Sequence, residues 1–149
     1  MPCLELDDGS HISQCNAIIE YIDAAFEGPA LTGVSAKERG QISMMNARAE
    51  RGLLDAVSLY FHNATPGLGD KIETYQCAEW GNYQKGIALK TMADFDALLK
   101  EQIYIAGDKF SVADITTFAG MTFAGFAKIE TPEKLSNLKA WKDKITKRG

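Results

Sequence analysis

The sequence predicts an α/β unit joined to an all-α bundle, and three observations carry that expectation. Strand-like segments occur only at the N-terminus, where Cys3-Leu4-Glu5-Leu6 and His11-Ile12 flank the turn Asp7-Asp8-Gly9-Ser10. Amphipathic stretches at helical spacing, with short connections, fill the chain from Ala36 onward. Between the two parts, Pro29 and Gly33 interrupt both patterns.

Each element follows from its residues. Gly9 supplies the positive φ that a tight hairpin turn needs. Ser13 reads as the N-cap of a helix over 14–25, with Ala17, Ile18, Tyr21 and Ile22 on one face. A long helical segment over 36–62 aligns Ile42, Met45, Leu53, Ala56 and Tyr60, and 63–69, with Pro66, Gly67 and Gly69, ends it. A second helix over 78–101 turns Ala88, Met92, Phe95 and Leu99 inward. Tyr104-Ile105-Ala106-Gly107-Asp108 is a compact turn. Ser111 opens a third helix with Ile115, Phe118, Ala119, Thr122 and Phe126 aligned. A final helix over 134–147 carries Leu135, Leu138, Trp141 and Ile145. The expected division is a partial α/β domain over 1–27, a linker over 28–35 and an all-α domain over 36–149. Two strands alone are marginal in water, so the hairpin is expected to need further strands or a helix cover.

Composition narrows the function. Of 149 residues 24% are charged, and the net charge of -4 offers no general attraction for nucleic acid or anionic lipid. No apolar run is long enough to span a bilayer, and 1–8 lack the basic and apolar regions of a signal peptide. The three cysteines, Cys3, Cys15 and Cys77, have no C-x-x-C spacing, and His11 and His62 are the only histidines. A metal site and a disulfide scaffold are therefore not expected, and a reducing cytoplasm is.

Phe110-Ser111-Val112-Ala113-Asp114-Ile115 has the form of a capping box. The Ser111 hydroxyl faces the Asp114 N–H, the Asp114 carboxylate reaches back to Ser111, and Phe110 with Ile115 forms a hydrophobic staple. Together with the preceding turn from Ile105, this segment resembles the helix-nucleating N-cap box of the all-helical domain of cytosolic glutathione transferases. Residues 1–18 resemble the glutathione-binding half of the same family, bacterial-type and N-terminally truncated. The resemblance implies that 1–27 is the C-terminal part of a thioredoxin-like domain and that 36–149 is the family's helical bundle.

The resemblance also implies a site. Pro2 stands where the family has a cis-proline, and Met1 where a backbone pairs with glutathione. Gln14-Cys15 stands where the family has Glu-Ser or Gln-Ser at a helix N-terminus, which holds the γ-glutamyl carboxylate through backbone N–H groups and the helix dipole. The Gln14 side-chain oxygen is placed to accept from the ligand's α-amino group. Cys15 departs from Ser, which weakens its side-chain bond; it reads either as a small residue in a Ser slot or as a reactive thiol. Arg48, Arg51, Tyr60 and Phe123 are candidates for an electrophile pocket or dimer crevice, the two arginines also fitting a solvated face that includes Asp55 and Ser58. Ser111 and Asp114 are a folding element.

The implied activity is conjugation of glutathione, as cosubstrate, to apolar electrophiles in detoxification, or reduction of peroxides and disulfides with it. The thiol-activating Tyr, Ser or Cys is expected upstream of Met1, so this chain alone is expected to be inactive. A homodimer through 14–25 and 36–62 is implied, with no nucleic acid or membrane partner. The competing readings are a non-catalytic binding or interaction module of the same family, and an unrelated four-helix bundle with a decorative hairpin.

Overall fold

The computed structural model describes residues 2–65 and 73–148. Strands β1 (Cys3–Glu5) and β2 (His11–Ser13) form an antiparallel hairpin, Leu4 opposite Ile12. Gly9 adopts φ 79°, and the Asp8 carboxylate accepts from the Ser10 N–H at 2.8 Å and hydroxyl at 2.6 Å, which locks the turn. Helix α1 (Cys15–Ala25) follows directly. Ser13 belongs to β2, so Gln14, not Ser13, is the N-cap. The β-ladder takes Ser13 before the helix can.

The bundle begins with α2 (Ala36–Ala49), capped by a reciprocal box between Ser35 and Glu38. What reads in sequence as one long helix is interrupted by a π-helical turn, Glu50–Leu54, before α3 (Asp55–Ala64). α4 (Ala78–Leu99), α5 (Val112–Phe126) and α6 (Ser136–Thr146) complete the fold. α3 lies along α4, α6 packs on α4, and α5 packs on α2 and the π turn. The helix-ending signal at 63–69 falls mostly on 66–72, outside the described residues; Asn63 and Ala64 are still helical.

The core is aliphatic and aromatic. Leu53, Met92, Phe95, Ile105, Met121 and Leu138 are fully buried, and the expected faces of α2–α3, α4 and α6 point inward. Helix α5 differs. Ile115, Ala119, Thr122 and Phe126 are exposed, and the inward face is Ala113, Thr117, Gly120, Met121 and Ala124. The cause is space. A Cβ on Gly120 would lie 2.8 Å from Leu53 Cγ, so small residues are what the close approach of α5 to the π turn admits. Large apolar residues marked the wrong face. For the same reason the Phe110–Ile115 staple is not what holds the start of α5. Ile115 is 44% exposed, while Phe110 meets the Tyr104 ring edge-on at 5.9 Å and carries the Arg148 guanidinium over its face at 4.3 Å.

The carboxylate half of the Ser111 box has a wider reach than a helix cap. Asp114 is fully buried and accepts from the Ser111 N–H (3.0 Å), the Ser111 hydroxyl (3.2 Å), the Ile105 N–H (3.0 Å) and the Trp141 indole N–H (3.0 Å). The Ser111 bond has ordinary length, so the shorter Asp side chain closes the box without stretching. Burial pushes the Asp114 carboxyl above its usual value, and the bonds from Ile105, Trp141 and Ser111 oppose that push.

Three outcomes follow from this packing. Asp114→Ala leaves buried donors unpaired and is expected to cost about 3–5 kcal/mol, read as the urea midpoint at unchanged slope. Gly120→Ala is expected to destabilise by about 1–2 kcal/mol, because displacing Leu53 outweighs the gain in helix propensity; a rise in stability would contradict the close approach. The third concerns Glu38, which Lys109 (2.8 Å), then the Ser35 and Val34 N–H groups, lower to about 2. A depressed carboxyl stabilises above its ordinary value and loses that contribution as pH falls through its folded one. Glu38→Gln is therefore expected to lower the melting temperature slightly at neutral pH, the difference narrowing as pH falls toward 2, where half of the Glu38 carboxyls have taken up a proton, and closing below it.

Candidate functional site

The N-terminus of α1 is where the sequence-derived site falls. Gln14 sits at φ 76°, a left-handed conformation that non-glycine residues rarely hold. Its carbonyl accepts the first helical bond, from the Ile18 N–H at 3.0 Å. The N–H groups of Cys15, Asn16 and Ala17 therefore open the helix without a helical partner. The Gln14 side chain does not cap them, and no acidic residue lies in the first turn. Such a turn presents donors and the positive end of the helix dipole to an anion, and a carboxylate fits it. Cys15 is exposed there. Pro2 is exposed immediately before β1; Met1, and with it the Met1–Pro2 bond, lies outside the described residues.

A chain of polar side chains behind this turn went unnoticed in the sequence. The Thr116 hydroxyl donates to Asn46 Oδ1 (2.6 Å), Asn46 Nδ2 donates to Asn16 Oδ1 (2.9 Å), and Asn16 Nδ2 donates to Glu50 Oε2 (2.8 Å). Asn46 is buried. The chain ties the first turn of α1 to α2, α5 and the π turn, and its direction fixes both amide orientations. Beside it, a cleft of about 260 Å³ between α1 and α2 is lined by Asn16, Glu20, Thr32, Ser43, Asn46 and Val112. No local spacing signals these partners, which lie 30 to 70 residues apart in sequence.

The farther end of α1 is anchored just as specifically. The Asp23 carboxylate accepts from the N–H groups of Leu31 (2.8 Å) and Thr32 (2.9 Å) and from the Thr32 hydroxyl (2.5 Å). Burial raises the Asp23 carboxyl, but the bonds from Thr32 and Leu31 outweigh it and leave it below its ordinary value. Glu20 pairs with Arg39 of α2 at 2.7 Å.

The remaining candidates separate. Arg48 and Arg51 line one cleft of about 300 Å³ with Thr91 and Asp94 of α4. Tyr60 lies in the core under the Lys85 ammonium, 5.1 Å from its ring. Phe123 belongs to an aromatic cluster with Phe61 (5.5 Å) and Phe126 (6.3 Å). The structure thus pairs the two arginines and leaves the two aromatics in separate packing. Ser111 and Asp114 face the bundle core.

Known proteins share this architecture. The family model for the glutathione S-transferase C-terminal domain matches residues 82–148. Glutathione S-transferase 2 of Saccharomyces cerevisiae is 53% identical over 148 residues, 99% of this chain and 64% of that protein. The chain therefore spans about two thirds of that curated relative's length. The crystal structure of Gtt2 from Saccharomyces cerevisiae superposes with a TM-score of 0.93 at 53% identity, covering 99% of this chain and 71% of that one. A glutathione S-transferase domain-containing protein from Marinobacter aquaeolei superposes with a TM-score of 0.94 at 55% identity, covering 99% and 72%. Likeness of that degree, in sequence and backbone alike and over nearly every residue, means that the chain belongs to the glutathione S-transferase family.

Proposed function

We propose that the protein is a glutathione S-transferase that binds glutathione with the γ-glutamyl carboxylate against the first turn of α1. The observation that carries this reading is the uncapped turn behind Gln14, held at φ 76° in a chain of this family. The turn leaves the N–H groups of Cys15 and its neighbours without helical partners, and Gln14 is the candidate to accept from the ligand's amino end. The reaction is conjugation of glutathione, whose thiolate sulfur bonds to an electrophilic carbon of an apolar substrate as the leaving group departs, or reduction of a peroxide or disulfide with glutathione as cosubstrate. What this part of the protein contributes is orientation: holding the γ-glutamyl group fixes where the cysteinyl sulfur lies.

The working protein is proposed to be a cytoplasmic homodimer, with 14–25 and 36–62 at the interface and Arg48 and Arg51 at the crevice. The division into a thioredoxin-like part over 1–27, a linker over 28–35 and a helical domain over 36–149 belongs to the same reading.

The full-length protein is expected to be retained on immobilised glutathione, to elute with free glutathione, and to conjugate a chlorinated nitrobenzene. Gln14→Gly keeps the positive φ at no steric cost and removes only the side chain. It is expected to raise the KM for glutathione about tenfold, roughly 1.4 kcal/mol of binding, with a smaller change in kcat. Failure of the unaltered protein to bind glutathione would refute the proposal.

A further inference from the structure

The outer face of α4 near its start is aromatic and acidic. Gly81, Gln84 and Ala88 are buried on the inner side of the helix, with Gly81 so close to α3 that an added Cβ would lie 2.7 Å from the Ala64 Cβ. Helical spacing turns Glu79, Trp80 and Tyr83 the other way, to the outside. Trp80 is 46% exposed and Tyr83 61%, and neither ring joins the bundle's core. We infer that this face is a docking surface for a partner protein that presents an arginine, its guanidinium stacked on the two rings and paired with Glu79.

Geometry supplies the platform. The rings of Trp80 and Tyr83 have centroids 5.7 Å apart and planes 23° from parallel, so they form one nearly flat π surface. Cys77, Glu79, Trp80 and Tyr83 line a shallow cleft of about 380 Å³ there. Tyr75, just before the helix, is exposed as well. Exposed Trp and Tyr side by side are the material of interface hot spots. A shallow cleft on a helix face suits a side chain delivered by another protein, because a small ligand needs walls that enclose most of its surface.

Charge selects the occupant. Residues 73–84 include two carboxylates, Glu73 and Glu79, and no lysine or arginine. The Glu73 carboxylate is taken by His62 Nδ1 at 2.7 Å. Glu79 has no ion pair and no side-chain hydrogen bond among the described residues. The next base along the helix, Lys85, is turned to the Tyr60 ring, 5.1 Å away. An electron-rich platform beside a lone carboxylate attracts a cation. A guanidinium is flat, so it can lie across both rings while its in-plane N–H groups reach a carboxylate at the platform's edge. Glu79 stands at that edge, four residues before Tyr83 and on the same helix face. A lysine ammonium is a hydrated point charge with no plane to stack. Glu79 also lies in the first turn of α4, where its charge favours the helix dipole, so its replacement is read together with helix stability.

The probe is the capped peptide acetyl-Gly-Arg-Gly-amide, titrated into the nitrogen-15-labelled full-length protein and followed at the Trp80 indole resonance. The Trp141 indole, held on Asp114 in the core, is the internal reference. The peptide is expected to shift Trp80 and leave Trp141 unmoved, with a dissociation constant on the order of 1 mM that weakens as salt rises. The lysine peptide is expected to bind about fivefold more weakly, and the citrulline peptide, which keeps the shape and loses the charge, about tenfold. Glu79→Gln is expected to weaken the arginine peptide about fivefold while the melting temperature stays within a few degrees. No shift of Trp80 overturns the proposal, and so does equal affinity for the arginine peptide and either of the other two; that comparison needs no variant to fold. Affinity that Glu79→Gln leaves unchanged overturns it as well. Methylguanidinium binding as tightly as the peptide would make the cleft a small-ligand site and remove the docking surface. None of these outcomes depends on glutathione binding.

Discussion

One buried carboxylate ties three segments of the bundle to one another. Asp114 takes donors from the start of α5, from the turn at Ile105 and from the Trp141 indole on α6. Removing a carboxylate from water costs several kcal/mol, and four donors within 3.2 Å offset that cost only when all are in place. The bonds are therefore cooperative. Mutual bonds between Tyr104 and Gly107 close the 104–107 turn, which presents the Ile105 N–H to Asp114. The docked helix α6 supplies the indole. A residue whose local task is to start one helix thus sets the relative positions of three segments.

The α1 unit is joined to that bundle by a different kind of contact. None of its helical residues is buried, so apolar burial contributes little to its placement. Instead there are directional bonds: Asp23 to the 31–32 backbone, Glu20 to Arg39, and the Asn16–Asn46–Thr116 chain. Hydrophobic contact tolerates sliding, and hydrogen bonds do not. A site whose backbone donors must meet a small anion gains from a joint of this sort, because each bond specifies an angle as well as a distance. The π turn belongs to the same design. It brings Glu50 back to α1 at a point where Gly52 and Gly120 let α4 and α5 approach without intervening side chains.

Much of this was legible in the residues. The hairpin, the capping box, the compact turn at 104–107 and the inward faces of α2–α3, α4 and α6 all depend on partners within a few positions, where spacing carries the information. Gln14-Cys15 was readable at a helix start through the resemblance to the family, with Ser13 expected as the cap. Helix α5 was misread because its inner face is small rather than apolar: periodicity found Ile115 and Phe126, while the packing required Ala113, Thr117, Gly120 and Ala124. Ser13 was misread as a cap because the residue type fits, although strand pairing claimed it first.

The sequence by itself determined most of the local pieces: where the capped helix at Ser111 begins and which turn needs Gly9. Each of these is settled by bonds between residues one to four apart. Tertiary structure alone decided the π turn, the inward face of α5 and the line from Thr116 through Asn46 and Asn16 to Glu50. Those partners come from four separate elements up to 70 residues apart, and no periodicity encodes a bond that exists only after the helices have docked. The Gln14-Cys15 pair was readable through the family resemblance; the Glu50 carboxylate that bonds Asn16 beside it was not, because the fold had to carry Glu50 there.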